Sequence, residues 1–501
     1  MNIRQAKDYV KQTVQLYLKK DELGEYRIPV VRQRPLFLLG VPGIGKTQIM
    51  EQVAGELGIA LVSYSMTHHT RQSAIGLPVI VHKEYKGIKY DASEYTMSEI
   101  ISSIYDVMTK SGITEGILFL DEINCVSETL APAMLQFLQY KVFGAHQVPE
   151  GWVIVTAGNP PEYNKSVREF DVVTMDRMKV LQVDADYSVW RDYALEHGTH
   201  NAIISFLDLN KEYFYRVEST VGGRSYITAR GWEDLSTMIK LMEEEGVNVD
   251  ETLIAQYIHN EKAVREFSAY YDLYNKYRRD YQMEEILRGE VSEFAKTKAK
   301  ASAFEERLSL VTMLNDEVTS HMRDCMDKSE YLTEAMPTLK NATKSDDVYA
   351  IVEILDAQIE QRTKKLDSLQ SAGSLSPDDK RRNKRIILFF RKIREAVLVL
   401  KAGESAVTCI KQIFDGQVEE LKTKSARTQT ELENLFAFVT EAYGEGDGRE
   451  LLLLLTALTA NKYSSAFIAR FGSESYTRYS SEMMLSERKN DLLVEIKALE
   501  L

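Results

Sequence analysis

Eight consecutive residues, Gly40-Val41-Pro42-Gly43-Ile44-Gly45-Lys46-Thr47, set glycines, a lysine and a hydroxyl at the spacing GxxxxGK[ST]. The glycines let backbone N–H groups converge on phosphate oxygens, and a following helix adds the positive end of its dipole. At this spacing Lys46 is expected to reach the β- and γ-phosphates and Thr47 to ligate Mg²⁺. A second element lies further along, where Ile117-Leu118-Phe119-Leu120 runs into Asp121-Glu122. A buried strand delivers such a pair at its carboxyl end. Asp121 is expected to hold Mg²⁺, directly or through water, and Glu122 to polarise an attacking water. A third is Asn159, at the tip of VIVTAGN, placed to orient that water or touch the γ-phosphate. The Asn-Pro-Pro run it opens is also a turn signal.

These residues need strands to carry them. RPLFLLG (34–40) reads as a short buried strand, followed by the glycine loop and a helix from about Thr47 to Leu57. LVSYS (61–65), GILFLDE (116–122), GWVIVTAGN (151–159) and KVLQVDA (179–185) supply four more strands. Strands alternating with helical stretches predict a parallel α/β sheet. Eight of the ten prolines lie at or before Pro161, so the remainder is expected to be mostly helical. TARGWEDLSTMIKLMEEEG (228–246) has Thr228 as a candidate N-cap and Leu235, Ile239 and Met242 at helical spacing. Long helical patterns cover 294–335 and 346–371, with interruptions expected at 371–379 and 444–448.

Composition narrows the function classes. The 501 residues are 44% hydrophobic and 27% charged, which excludes a disordered or collagen-like chain. The net charge is −13, of which −10 falls on residues 1–285, so a broad polyanion-binding surface is disfavoured. The longest apolar run, LLLLLTALTA (451–460), is half of the ~20 residues that a membrane helix requires. The N-terminal stretch is amphipathic without a signal-type apolar core. Three scattered cysteines form no disulfide framework, and a cytoplasmic location is expected. Other residues weigh less. His68 and His69 lack metal-spaced companions, and Cys125 lacks a basic partner. The tyrosines of YYDLYNKYRRDY (270–281) are expected to pack between helices, and KRRNKR (380–385) to be a solvated helix start.

On these motifs the chain resembles the AAA+ ATPases, and among them the MoxR-like family. FLDEINCVSETLAPAMLQFLQ (119–139) is similar to that family's Walker B segment and the helix after it. TAGNPPEYNKSVREFDVVTMDRMKVLQV (156–183) is similar to its Asn-Pro sensor followed by an Asp-Arg pair before the fifth strand. HHTRQSAIGLPVIV (68–81) resembles the stretch leading to its helix-2 insert. The similarity covers roughly 30–240. It implies that Gly40 to Thr47, with Gln48 beside them, form Walker A, Asp121 and Glu122 form Walker B, and Asn159 is sensor 1. Arg177 matches the arginine finger, with Arg168 as competitor. Arg230 matches sensor 2, with Arg224 as competitor. Met178 stands where the family has Phe, and Ala229 where it has Pro.

The implied architecture is an AAA+ α/β core over 1–186, a helical lid over 187–285 and a helical partner-binding domain over 286–501. The implied ligands are ATP and Mg²⁺, although these motifs do not encode base contacts that separate ATP from GTP. A homo-oligomeric ring, most simply a hexamer, would hydrolyse ATP to remodel or activate a protein in a chaperone-like role. The implied partner is a protein bearing a von Willebrand factor A domain. The alternative is a nucleic-acid-directed motor of a restriction or defence system.

Overall fold

The computed structural model describes residues 1–68, 74, 76–143, 146–163, 166–220, 223–401, 403–444 and 448–482. The chain divides into two compact units. One comprises Met1–Val189, Thr228–Arg230 and Ala357–Ile387, and the other Trp190–Ile227, Gly231–Asp356 and Leu388–Leu501.

The strands in chain order are β1 (Leu36–Gly40), β2 (Ala60–Ser65), β3 (Pro78–Tyr85), β4 (Ile88–Tyr95), β5 (Gly116–Asp121), β6 (Val142–Phe143), β7 (His146–Gln147), β8 (Trp152–Gly158), β9 (Lys179–Val183), β10 (Arg216–Thr220) and β11 (Gly223–Ile227). Five make one parallel sheet in the order β2-β5-β8-β1-β9. This is the parallel α/β core expected from the alternating pattern. β8 is buried along its whole length and β5 up to Asp121, because helices cover both faces of such a sheet. Phe37, Leu118, Leu120, Trp152 and Ile154 form its core with Phe137 and Phe143, whose rings stack at 3.9 Å. Each large apolar side chain so buried contributes about 1.5–3 kcal/mol.

The N-terminal helix Ile3–Tyr17 begins at a capping box between Asn2 and Gln5 and buries Ala6, Val10, Val14 and Tyr17 along one face. β3 pairs with β4, and β6 with β7, as separate antiparallel hairpins.

One piece of this unit comes from far along the chain. The turn between helices Val348–Ser371 and Pro377–Leu398 lies against edge strand β2, where Leu61 N–H donates to the Ala372 carbonyl at 2.6 Å. Ser368 Oγ donates to the Ser111 carbonyl at 2.8 Å. Gly373, at φ +66°, sits where a Cβ would lie 2.7 Å from the Leu61 carbonyl oxygen. Leu61's outward N–H is thereby satisfied and this stretch of the sheet edge covered. The basic run 380–385 lies early in the second of these helices, where Arg382 pairs with Asp379.

The other unit is mostly helical, with the β10–β11 hairpin. Its longest helices, Phe304–Ala342 and Ala406–Tyr443, run antiparallel. Polar links fix that register: His321 to Glu431 at 2.7 Å, Lys328 to Glu420 at 2.6 Å and Tyr331 to Gln417 at 2.9 Å. Leu310, Leu314, Val318 and Met322 are buried on the first helix, and Leu432, Leu435 and Val439 on the second. The expected pattern 294–335 is split here between Glu293–Ala301 and Phe304–Ala342. Among the described residues no single helix is long and apolar enough to cross a membrane. Leu451, Leu454, Leu455 and Leu458 of the leucine run are buried in this unit.

Candidate functional site

β1 lies between β8 and β9, neither of which is its neighbour in sequence, so the sheet reverses its winding there. Ligands of open α/β sheets bind at such a point, outside the carboxyl ends of the strands. Three adjacent strands, β5, β8 and β1, end there with Asp121, Asn159 and the glycine loop.

The loop is shaped for close approach. Gly43 and Gly45 adopt φ +75° and +90°, which side chains rarely tolerate. A Cβ on Gly40 would lie 2.5 Å from the Val183 carbonyl oxygen, and one on Gly43 would lie 3.1 Å from Thr228 Cβ. Gly45 is the N-cap of helix Lys46–Leu57 and provides no side-chain cap, so the first-turn N–H groups are directed to whatever occupies the loop. Gln48 is exposed one turn into this helix.

Lys46 is 8% exposed. Its amino group donates to the carbonyls of Gly40 at 2.7 Å and Val41 at 2.9 Å, and to Asn159 Oδ1 at 2.9 Å. Burial pushes its pKa down to about 8, Asp121 and Glu122 pull it up, and the Arg230 charge pushes it down. Thr47 Oγ1 donates to Asp121 Oδ2 at 2.9 Å. Asp121 Oδ1 accepts the Glu122 backbone N–H at 2.9 Å. Glu122 itself is held at φ +54°, in the left-handed region that a non-glycine residue enters at a cost. Its Oε2 accepts from Ser65 Oγ at 2.9 Å and Thr67 Oγ1 at 3.1 Å.

The structure thus brings Lys46, Thr47, Asp121, Glu122 and Asn159 together. Arg230 is exposed, with its charge bearing on Lys46. Arg177 is exposed at the end of helix Val172–Asp176; among the described residues it forms no ion pair, and its charge reaches Asp171. Arg168 pairs with Glu128 at 2.6 Å. The side chains of Arg224 and His68, and all of His69, lie outside the described residues. Cys125 is held above the usual thiol range by burial and by Glu122 and Asp121, which suits an inert thiol. Tyr271, Tyr274 and Tyr281 are buried.

Two contributors escaped the sequence reading. Ser65 stands level with Asp121 in the β2–β5 register, and from there its hydroxyl reaches Glu122. Only its place at a strand end could have marked it. Asn124, 4% exposed on the turn after Glu122, donates to the Asn159 carbonyl at 2.8 Å. It fits because residue 158 is glycine: a Cβ there would lie 2.5 Å from Asn124 Oδ1.

This donor set fits a Mg²⁺–polyphosphate. A hydroxyl and a carboxylate oxygen 2.9 Å apart, Thr47 Oγ1 and Asp121 Oδ2, are ligands that Mg²⁺ takes when phosphates and water complete its shell. A buried ammonium and an open helix N-terminus provide for the phosphate charge.

Residues 36–175 match the family model described as ATPase family associated with various cellular activities (AAA). No curated protein matches the chain. With the sheet order and the loop geometry, that match makes residues 36–175 of this chain an AAA ATPase domain.

Proposed function

We propose that the protein is a MoxR-like AAA+ ATPase that hydrolyses ATP in a homo-oligomeric ring, most simply a hexamer, to remodel or activate a protein partner. The observation that carries the reading is the convergence of Lys46, Thr47, Asp121, Glu122 and Asn159 at the ends of three adjacent strands.

In this reading Gly40 to Thr47, with Gln48 beside them, cradle the phosphates. Lys46 exchanges one of its three acceptors for a phosphate oxygen, since an ammonium has only three N–H groups to give. Thr47 and Asp121 would hold Mg²⁺, which neutralises charge on the phosphate oxygens. Glu122 accepts a proton from the attacking water, and Asn159 positions that water. Glu122 must first give up Ser65 or Thr67, whose hydroxyls occupy its Oε2.

Arg230 is the sensor 2 candidate, supported by its charge on Lys46. Arg177 is the finger candidate, supported by its exposure and lack of an ion pair among the described residues, whereas Arg168 is engaged by Glu128. A finger serves the neighbouring subunit's nucleotide, so the reading entails the ring. Partner recognition, with a von Willebrand factor A domain protein as the family-based candidate, is assigned to the helical segment 286–501 apart from the turn region that packs on β2.

Steady-state ATP turnover by purified protein tests the reading, with Glu122→Gln alongside. Wild-type turnover with a variant that binds ATP and hardly cleaves it supports the reading. No turnover by wild-type protein at any concentration, or equal turnover by the variant, refutes it.

A further inference from the structure

The helical unit contains a cavity of about 260 Å³ whose walls come from seven helices. Lys240 reaches it from helix Ala229–Glu244, Arg278 from Glu261–Asp280, and Asp316, Thr319 and Arg323 from Phe304–Ala342. The N-terminal end of helix Asn201–Leu209 opens onto the same space through Thr199, His200 and Asn201.

The charges around it are unevenly satisfied. Glu243 receives His200 Nε2 at 3.2 Å and the Tyr271 hydroxyl at 2.7 Å, and Glu317 lies 3.8 Å from His321. His200 Nδ1 accepts the Ala202 N–H, so Nε2 carries the hydrogen that it gives to Glu243. These two carboxylates thus have side-chain partners, and the Glu243 charge also bears on Lys240 and Arg278. Among the described residues neither Lys240, Arg278 nor Arg323 forms an ion pair. Lys240 donates to the Gly198 carbonyl, and the Arg323 guanidinium takes the space that a Cβ on the same glycine would need and lies 5.9 Å from the centre of the Tyr463 ring. Two like charges are thus gathered on one residue, and burial and then the Arg323 charge push the Lys240 pKa down against the pull of Glu243 and Glu244. Like charges brought together out of water favour an anion between them.

The cavity also has a polar end. Asp316, 7% exposed, leaves Oδ2 without a hydrogen-bond partner, and Thr319 Oγ1 is buried and unpartnered beside it. A buried polar atom left unpaired is destabilising, so such atoms at the wall of a polar cavity point to a ligand that meets them.

We propose that this cavity is a second ligand site, which takes a small phosphomonoester whose phosphate meets Lys240, Arg278 and Arg323 and whose hydroxyl or amino group meets Asp316 and Thr319. A phosphate dianion matches three cations better than a carboxylate does, and arginine's planar fork suits its oxygens. The space is below the usual range for drug-sized ligands and suits a sugar phosphate.

The experiment uses the full-length chain carrying Lys46→Ala, so that the glycine loop does not contribute phosphate binding. Glucose 6-phosphate, AMP and inorganic phosphate are titrated by calorimetry. A phosphomonoester is expected to bind, and at least tenfold more tightly than inorganic phosphate. Adding Arg278→Gln, an exposed position, is expected to weaken it about 10–100-fold, the loss of one charge-assisted contact. Arg323→Gln is expected to do the same. Asp316→Asn is expected to narrow the gap between the phosphomonoester and inorganic phosphate while leaving inorganic phosphate unchanged. Circular dichroism confirms the fold of each variant. No binding of any of the three probes at millimolar concentration overturns the proposal, as does binding that survives Arg278→Gln and Arg323→Gln unchanged. Equal affinity for inorganic phosphate and both esters overturns the assignment of the polar end. Loss of ATP turnover in the parent protein would leave these titrations unaffected, so the site and the ATPase reading fail separately.

Discussion

Two desolvated lysines, one in each unit, sit among similar charges and differ in how fully they are hydrogen-bonded. Lys46 lies among Asp121 and Glu122, whose charges pull its pKa up against burial, and it has an acceptor for each N–H. Lys240, half-buried, donates to the Gly198 carbonyl; Arg323 adds to the effect of burial, and Glu243 and Glu244 oppose it as Asp121 and Glu122 do at Lys46. The first environment is near charge balance without a ligand and suits an anion that arrives with its own cation. The second has, among the described residues, one acceptor for its lysine and three cations without an ion pair, and under the proposal above it takes an anion without a metal. The same residue type would thus serve a metal–polyphosphate in one unit and a bare phosphate in the other, and the difference lies in how fully each lysine's N–H groups are engaged.

Experiments on the AAA domain can break that contrast or sharpen it. The largest effect is expected from Arg177→Ala. A finger in trans is worth about 10³–10⁵ in rate, so ATP should bind normally and turnover should nearly vanish. Mixing these subunits with Lys46→Ala subunits should restore part of the activity. Normal turnover by Arg177→Ala together with loss in Arg168→Ala would move the finger to the arginine now paired with Glu128. Glu122→Gln should come next, lowering turnover about 10²–10⁴-fold with ATP affinity retained. A single-turnover assay separates the two.

A smaller effect is expected at Gly158. Gly158→Ala drives a methyl group into Asn124, whose amide anchors the Asn159 carbonyl. Stability should fall by about 1–3 kcal/mol, read from urea unfolding, with a parallel loss of turnover. If Asn124 has no positioning role, the stability loss should leave turnover intact.

The mildest effect is on pH dependence. The pKa of folded Lys46 is about 8 against 10.5 as the ordinary value, so between these values the unfolded chain binds more protons. The cost of burying a charged Lys46 is fully present below about pH 8 and fades as pH rises to 10.5. Apo stability should therefore rise with pH across that window. Lys141, held near 7 by burial, adds a slope of its own in both proteins. The difference between wild type and Lys46→Met isolates the Lys46 part. With Mg²⁺–ATP bound, the phosphate charge should raise the pKa of Lys46 and flatten it.

How much of this was legible in the sequence follows from how the residues are spaced. The glycine loop and the Asp121-Glu122 pair are contiguous, and each is tied to a strand end by an apolar run, so pattern and element identify one another. The parallel sheet was legible for the same reason. Ser65 and Asn124 were not, because a single serine or asparagine near a strand end has many uses and only the register brings it to Glu122 or Asn159. Lys240, Arg278 and Arg323 lie on three helices that are far apart in sequence. Helical periodicity tells which face of each is apolar, not which polar ends meet. Periodicity was silent for the same reason on the turn at Ala372, which is part of a helical hairpin by pattern and the cover of edge strand β2 by contact.

The central claim is that Lys46, held among Asp121, Glu122 and Asn159, is the phosphate-binding cation of the AAA domain. Calorimetric titration of Mg²⁺–ATP into wild-type protein and Lys46→Ala tests it most directly. Saturable binding by wild type and its loss by at least about 100-fold in a well-folded variant is the predicted result, since the phosphate loses a buried charged donor. Equal affinity in the two proteins would contradict the account.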